Sequence, residues 1–397
     1  MVNLVKRHYW LKVVEEAWTR RSVIWLSGVR RTGKTSLSQS LDGVEYFDCE
    51  LPRVRRILDD PEAFLSGLDD KRIVLDEIHR LRAPAELLKI VADHYPKLQV
   101  LATGSSTLGA SRKFRDTLTG RKTELWLTPM ILADLADFRR EALPHRLLHG
   151  GLPPFFLAQT PPDRDFQEWM DAYWAKDIQE LFRLERRYSF QKFAELIMAR
   201  SGGIFEANKF TTECEVSRQT ITNYLRALEA TFVAHIIRPF STHRPTEIVA
   251  APKVYAFDTG FVCYHRGWHE LRREDLGLLW EHFVLNELHG HLQTRDIRYW
   301  RDKQGHEVDF VLVDRSGPPT AIECKWSASH FDTTNLRAFR RLHPQGRNFL
   351  FAQDVERPYA LKDQYVEVEV LPLPKLMHGT TSFASRARTA ARGANEA

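Results

Sequence analysis

The octapeptide Gly28-Val-Arg-Arg-Thr-Gly33-Lys34-Thr35 constrains this chain more than any other feature. It satisfies every fixed position of the spacing GxxxxGK[ST]. It also stands directly after the apolar run Ser22-Val-Ile-Trp-Leu and before the helix-compatible Ser36-Leu-Ser-Gln-Ser. A strand that feeds a glycine-rich turn and then a helix lets backbone N–H groups curl around an anion at the helix N-terminus. The loop residues Gly28, Val29, Arg30, Arg31, Thr32, Gly33, Lys34, Thr35 and Ser36 are therefore expected to cradle nucleotide phosphates. In that arrangement Lys34 reaches the β and γ phosphates, and Thr35 ligates Mg²⁺.

A second piece strengthens the first. Arg72-Ile-Val-Leu-Asp76-Glu77 reads as an apolar strand ending in two carboxylates, about 40 residues after the loop. Asp76 is expected to hold Mg²⁺ through water and Glu77 to polarise the attacking water, so the pair points to ATP hydrolysis and not to binding alone. The next apolar run ends Ala102-Thr103-Gly104-Ser105-Ser106. Thr103 or Ser105 is placed to sense the γ-phosphate, with an ordinary strand-to-loop turn as the alternative. Arg121, in Thr119-Gly120-Arg121, is the candidate arginine finger, acting in cis or from a neighbouring subunit. Arg30 and Arg31 are poorer candidates, because variable positions of such loops tolerate many residues.

At 397 residues the chain is too long for one ordinary domain; at ~150 residues per domain it holds two to three. Its 43% hydrophobic and 27% charged residues exclude disorder as the default state. No run approaches a membrane span, and Met1–Trp18 carries a charge every few residues, unlike a secretory signal. The four cysteines, Cys49, Cys214, Cys263 and Cys324, lie far apart without metal-ligand spacing. A cytoplasmic protein without a disulfide framework is expected. The net charge of +5 permits nucleic-acid contact without arguing for it.

Three blocks and a tail follow. Residues 1–140 alternate apolar runs (Ser22–Leu26, Val44–Phe47, Arg72–Leu75, Leu98–Ala102, Leu125–Leu127) with amphipathic stretches, the rhythm of βα units around a parallel sheet. Residues 141–250 read as mostly helical after the breaker Gly150-Gly-Leu-Pro-Pro154, with helices over Asp165–Glu180 and Phe190–Ser201. Within this block Ser217–Leu228 has the form of a recognition helix. Ser217 caps it; Ile221, Leu225 and Leu228 make the apolar stripe, and Arg218, Gln219, Thr222, Asn223 and Arg226 fall on the polar side. Phe210–Glu215 is its expected first helix and Thr231–Arg238 a wing-like strand, a winged-helix-like unit. Pro239–Pro252 reads as a linker.

Residues 251–376 mix a helix near Leu278–Leu292 with strands at Glu307–Val313, Thr320–Cys324 and Asn348–Ala352; residues 377–397 read as a disordered basic tail. Glu307-Val-Asp309 and Ala321-Ile-Glu323-Cys-Lys325 form Asp-x13-Glu-x-Lys across a turn at Pro318-Pro319. Strand alternation puts Glu323 and Lys325 on one face, and Asp309 on a paired strand is placed to meet Glu323 across a metal. Two carboxylates and a lysine suit metal-assisted attack of water on a phosphodiester. Arg295, Arg298, Arg301, Lys303, Arg337, Arg340 and Arg341 lie nearby in sequence and could meet nucleic acid.

Taken together, Gly28–Thr35, Leu75–Glu77, Thr103–Ser106, Thr119–Arg121, Gly150–Pro153, Lys253–Gly260 and Glu307–Phe310 resemble the bacterial and archaeal AAA-type P-loop ATPases that carry a C-terminal domain of unknown function with a restriction-endonuclease-like core. The resemblance spans roughly residues 15–376. It implies an α/β fold class: a P-loop AAA-type ATPase domain over 1–140, a helical winged-helix-like middle, and an α/β restriction-endonuclease-like domain over 251–376. Leu279–Leu288 resembles the helix that supplies a further acidic group in PD-(D/E)xK nucleases; Glu281 is the expected metal ligand with Asp309 and Glu323, and Glu287 the fallback. Val308 stands where the usual proline precedes the aspartate, a departure that leaves cleavage open. The function expected is Mg²⁺-dependent ATP hydrolysis coupled to DNA engagement. The rival is a regulatory or signalling ATPase whose C-terminal domain binds a protein partner without cleavage; a homo-oligomer is a further expected assembly.

Overall fold

The structure, a computed structural model, describes residues 4–104, 112–140, 142–160, 163–179, 186–242, 251–313 and 317–373. Ser105, most of the expected linker and the whole expected tail lie outside them. The chain divides into two compact units. One comprises the residues up to Lys192 together with Thr222–Val233; the other comprises Phe193–Ile221 and the residues from Ala234 onward.

The apolar runs of the first unit become five strands: β1 (Val23–Ser27), β2 (Glu45–Asp48), β3 (Arg72–Asp76), β4 (Gln99–Thr103) and β5 (Lys122–Trp126). They pair in parallel in the order β2-β3-β4-β1-β5. Parallel strands need crossovers that cover both faces, which is why the central strands β1, β3 and β4 are buried at nearly every position, while the edge strands β2 and β5 are only partly buried. Alternation divides the side chains accordingly. Val23, Trp25, Ile73, Leu75 and Val100 pack on one face with Leu87, Leu88 and Val91. Ile24, Leu26, Val74 and Leu101 pack on the other with Trp10, Val14 and Leu37. The order also sets β4 between β1 and β3, so three carboxyl-terminal strand ends adjoin, the usual place for a ligand in such sheets.

Beyond this sheet, the expected helix Asp165–Glu180 is helical over Asp163–Tyr173 and then widens into a π turn at Trp174–Ile178. Helix Arg218–Ala230 starts where Ser217 caps it, its Oγ accepting from the Thr220 N–H at 3.2 Å. Ile221, Tyr224, Leu225, Ala227 and Leu228 are buried on it, while Arg218, Gln219, Asn223 and Arg226 are exposed.

The second unit is built on β6 (Gly203–Ile204), β7 (Ala234–Pro239), β8 (Lys253–Ala256), β9 (Ile297–Arg301), β10 (Glu307–Leu312), β11 (Thr320–Lys325), β12 (Asn348–Ala352), β13 (Tyr359–Lys362) and β14 (Glu367–Leu371). Among the described residues they form one sheet in the order β13-β14-β12-β11-β10-β9-β7-β8-β6. The stretch expected as a wing is β7, which lies inside this sheet, antiparallel to β8 and parallel to β9. Its sequence explains the difference: Ala234, His235, Ile237 and Pro239 are buried, whereas a wing strand keeps one face wet. Helix Thr334–Leu342 covers the core of Val308, Val311, Ala321, Leu350 and Val368 with Leu336 and Phe339. Helix Arg273–Leu292 is buried along most of its second half, and Trp280 Nε1 donates to the Phe351 carbonyl at 3.0 Å.

Candidate functional site

Gly28 begins the phosphate loop at φ +146°, and a Cβ there would lie 2.5 Å from the Leu127 carbonyl oxygen, so only glycine fits. Gly33 (φ +93°) opens the helix Lys34–Gln39. Arg31 sits at φ +66°, a conformation uncommon for a side-chain-bearing residue. Thr35 and Ser36 are exposed in the first helical turn. The Lys34 ammonium folds back on its own loop, donating to the Gly28 carbonyl at 2.9 Å and the Val29 carbonyl at 3.1 Å. Burial lowers its pKa, against the pull of Glu77 and Asp177.

Asp76 ends β3 with its carboxylate held on both sides. Tyr46 Oη donates to Oδ2 at 2.5 Å, and Thr103 Oγ1 donates to Oδ1. Thr103 Oγ1 also accepts from the Glu77 N–H at 3.1 Å, so one hydroxyl ties the two acidic residues together. Glu77 itself is left-handed, at φ +53° and ψ +43°; such strain costs roughly 1–2 kcal/mol and concentrates at functional sites. Burial opposes its ionisation, yet the His79 hydrogen bond and the Lys34 charge hold its carboxyl below the ordinary range. His79 Nδ1 stands 3.0 Å from Glu77 Oε2. Gly104 follows with its Cα against Trp25; an added Cβ would meet that ring at 2.8 Å.

Two ion pairs, one buried and one half-buried, tie down the loop. Arg7 spans Asp134 with Nε–Oδ1 at 2.8 Å and Nη2–Oδ2 at 2.6 Å, and its Nη1 donates to the Thr32 carbonyl at 2.9 Å. Arg30 Nε meets Asp177 Oδ2 at 3.2 Å, while Trp169 Nε1 donates to the Arg30 carbonyl at 3.1 Å. Sequence reading missed Tyr46, Arg7, Asp134 and Asp177. The available signal was an acid on an otherwise apolar helical face, Asp177 among Trp169, Tyr173, Trp174 and Ile178. Arg121 lies elsewhere. It precedes β5 at the amino end of the sheet, opposite the loop, and donates to Asp93 at 2.8 Å. It therefore does not line the phosphate loop of its own chain.

The expected carboxylates of the second unit do come together. Lys325 Nζ stands 3.0 Å from Glu323 Oε2 and 3.7 Å from Asp309 Oδ2, and Asp309 Oδ2 accepts from the Cys324 N–H at 2.8 Å. Burial and the Asp309 charge push the Glu323 carboxyl up to about 8, and burial with the Glu281 charge raises Asp309 as well. Glu323 Oε1 is buried without a hydrogen-bond partner. Glu281 is engaged by Lys253 at 3.2 Å and by the Tyr255 hydroxyl, and Lys253 also meets Glu307 at 2.5 Å. Lys253, the first residue of the buried strand Lys253-Val-Tyr-Ala, was quoted in the sequence motif Lys253–Gly260 but given no role beside these carboxylates. Glu287 pairs with His291 at 3.0 Å on the buried side of the helix. Among the described residues, no three His, Cys, Asp or Glu side chains are grouped closely enough to hold one ion.

The parallel sheet and its glycine-rich loop have the form of a P-loop nucleotide-binding domain in the first unit. Residues 20–136 match the family described as AAA domain. Residues 140–272 and 276–376 match two families, each described as Domain of unknown function (DUF8612 and DUF4143). The chain is 27% identical over 347 residues to an uncharacterised protein of Mycobacterium tuberculosis and, equally, to one of Mycobacterium bovis. In both cases the match covers 84% of this chain and 77% of the relative. A solved Walker-type ATPase of Pyrococcus abyssi is similar over 66% of this chain and 96% of its own, with a TM-score of 0.43 and 16% identity. No helix among the described residues is long and apolar enough to cross a membrane.

Proposed function

We propose that the chain is an Mg²⁺-dependent ATP hydrolase whose nucleotide state governs DNA engagement by the carboxylate–lysine site of its second unit. One observation carries the first half: Lys34, Asp76, Glu77 and Thr103 gather at the adjoining ends of β1, β3 and β4. In hydrolysis, a bond forms between the oxygen of water and the γ-phosphorus as the bond to the ADP oxygen breaks. Glu77, held ionised by Lys34 and His79, orients the water and takes its proton. Thr35 and Asp76 are the residues to hold Mg²⁺, and Asp76 suits the task because Tyr46 and Thr103 keep it an acceptor. The ion supplies neutralisation of phosphate charge. Thr103, bonded to both acids, links γ-phosphate occupancy to their placement.

The second half rests on charge. Glu281, Glu307, Asp309 and Glu323 face Lys253, Lys325 and Arg301, four acids against three bases, which leaves one negative charge when all are ionised. With Glu323 Oε1 unpartnered, that excess suits a divalent cation held by Asp309 and Glu323. Lys325 then positions water against a phosphodiester, the arrangement of a PD-(D/E)xK site in a restriction-endonuclease-like fold. The rival reading draws on Lys325 itself, which already pairs with both carboxylates and would leave the unit a partner-binding scaffold. Supercoiled plasmid with the purified chain in Mg²⁺ or Mn²⁺, with and without ATP, separates them. Nicking that is lost in Asp309→Ala is the expected result; no nicking while ATP is hydrolysed would favour the scaffold.

A further inference from the structure

Of the three cations of the phosphate loop, Arg31 lies over the Phe155 ring, and the other two are gripped by oxygens of the protein itself. Lys34 is held by the Gly28 and Val29 carbonyls, and Arg30 by the Asp177 carboxylate. The two grips differ in kind. The carbonyls belong to the loop, whereas Asp177 is brought in from the π turn of Trp174–Ile178, a local widening of the kind often found at functional sites. Asp177 is 10% exposed at its side chain and Arg30 32%, so the guanidinium remains open to the solvent side. The Arg30 backbone cannot follow its side chain easily, because Trp169 Nε1 binds its carbonyl. Arg30 also lies close enough to both Lys34 and Glu77 for its charge to act on each. Arg30 is thus a loop residue four positions before Lys34, assigned above to the γ-phosphate, and it belongs to the same charged group as Glu77, assigned above to the water. Arg121, the arginine that sequence reading favoured, lies at the opposite end of the sheet and is bound to Asp93.

The geometry points to Arg30 as the arginine that stabilises the transferring phosphoryl group in cis, with Asp177 as the positioning residue that holds it until a triphosphate arrives. A γ-phosphate carries more charge than one carboxylate and offers several oxygens to the guanidinium fork, so it draws Arg30 away from Asp177. Charge that grows between the γ-phosphorus and the leaving ADP oxygen then meets a fixed cation. This inference rests on the hydrolysis reading above and names a residue within the same site.

The test measures phosphate release and, separately, the binding of a fluorescent non-hydrolysable ATP analogue. Arg30→Ala is expected to lower kcat by about 10³-fold, the scale of a lost arginine finger, while analogue affinity changes less than about threefold; Arg30→Lys recovers part of the loss. Asp177→Asn is expected to tighten analogue binding several-fold, a gain that vanishes in the Arg30→Ala/Asp177→Asn double variant. Mixing Arg30→Ala with Lys34→Ala chains is expected to restore nothing, because both residues serve one active site. A kcat within threefold of wild type in Arg30→Ala, recovery on mixing, or an Asp177→Asn gain that survives loss of Arg30 would each overturn the proposal. Wild-type chain that binds the analogue and releases no phosphate would instead overturn the hydrolysis reading. The binding arm would still decide whether Asp177 restrains Arg30.

Discussion

Arg7 and Asp134 are both almost fully buried and hydrogen-bonded to each other twice, while Arg7 also supports the Thr32 carbonyl. Removing one partner leaves a buried charge without compensation, at a cost of about 3–5 kcal/mol. Arg7→Ala is therefore expected to destabilise the first unit by that amount and to weaken nucleotide binding, checked by urea unfolding and analogue titration. Neither residue was legible from its neighbours in sequence, because 127 positions separate them and each alone resembles a surface charge. The loop residues were legible, because their spacing serves backbone geometry that only a few residue types allow. Asp309, Glu323 and Lys325 were legible as a set because strand alternation dictates which side chains share a face. The bonds of Glu281 to Lys253 and Tyr255 depend on a helix meeting β8, which no local pattern encodes.

Among the elements, β1 to β4 follow the sequence within one residue at each end, while β5 begins three residues before the run Leu125–Leu127, because Lys122, Thr123 and Glu124 carry no apolar signal. The π turn after Tyr173 was not legible: one extra residue in a helical turn leaves the apolar spacing nearly intact. β7 was misplaced for another reason; its partner β9 begins some sixty positions later, and pairing over that distance leaves no local trace. Buried histidines of the second unit give these elements an acid sensitivity. Burial lowers His265, on helix Thr259–Arg266, and His289, on helix Arg273–Leu292, each to about 4. Above the unfolded value near 6.5, folded and unfolded states are both neutral and nothing is lost. As pH falls below it, the unfolded chain takes up protons that the folded chain refuses, so stability falls until pH nears the folded value. Each histidine is expected to contribute up to ~1.4 kcal/mol per pH unit in that window. Thermal melts between pH 7.5 and 4.5 check this, with a shallower acid slope in His265→Phe.

At the scale of the whole molecule, the two units interleave in sequence: Thr222–Val233 belongs with the first although Phe193–Ile221 belongs with the second. A cut at residue 250, suggested by the prolines, removes β7 and leaves β8 and β9 without the strand that joins them. A fragment of 251–376 is accordingly expected to aggregate on expression, while one beginning at 187 retains β6 and β7 and stays soluble; size-exclusion chromatography of the two distinguishes them. The central claim is that the first unit hydrolyses ATP through Glu77, and phosphate release with Mg²⁺ by wild type, Lys34→Ala and Glu77→Gln tests it most directly. The account expects turnover by wild type, lost binding in Lys34→Ala, and in Glu77→Gln retained binding with turnover down about 10²- to 10⁴-fold. Equal turnover in wild type and Glu77→Gln would contradict it.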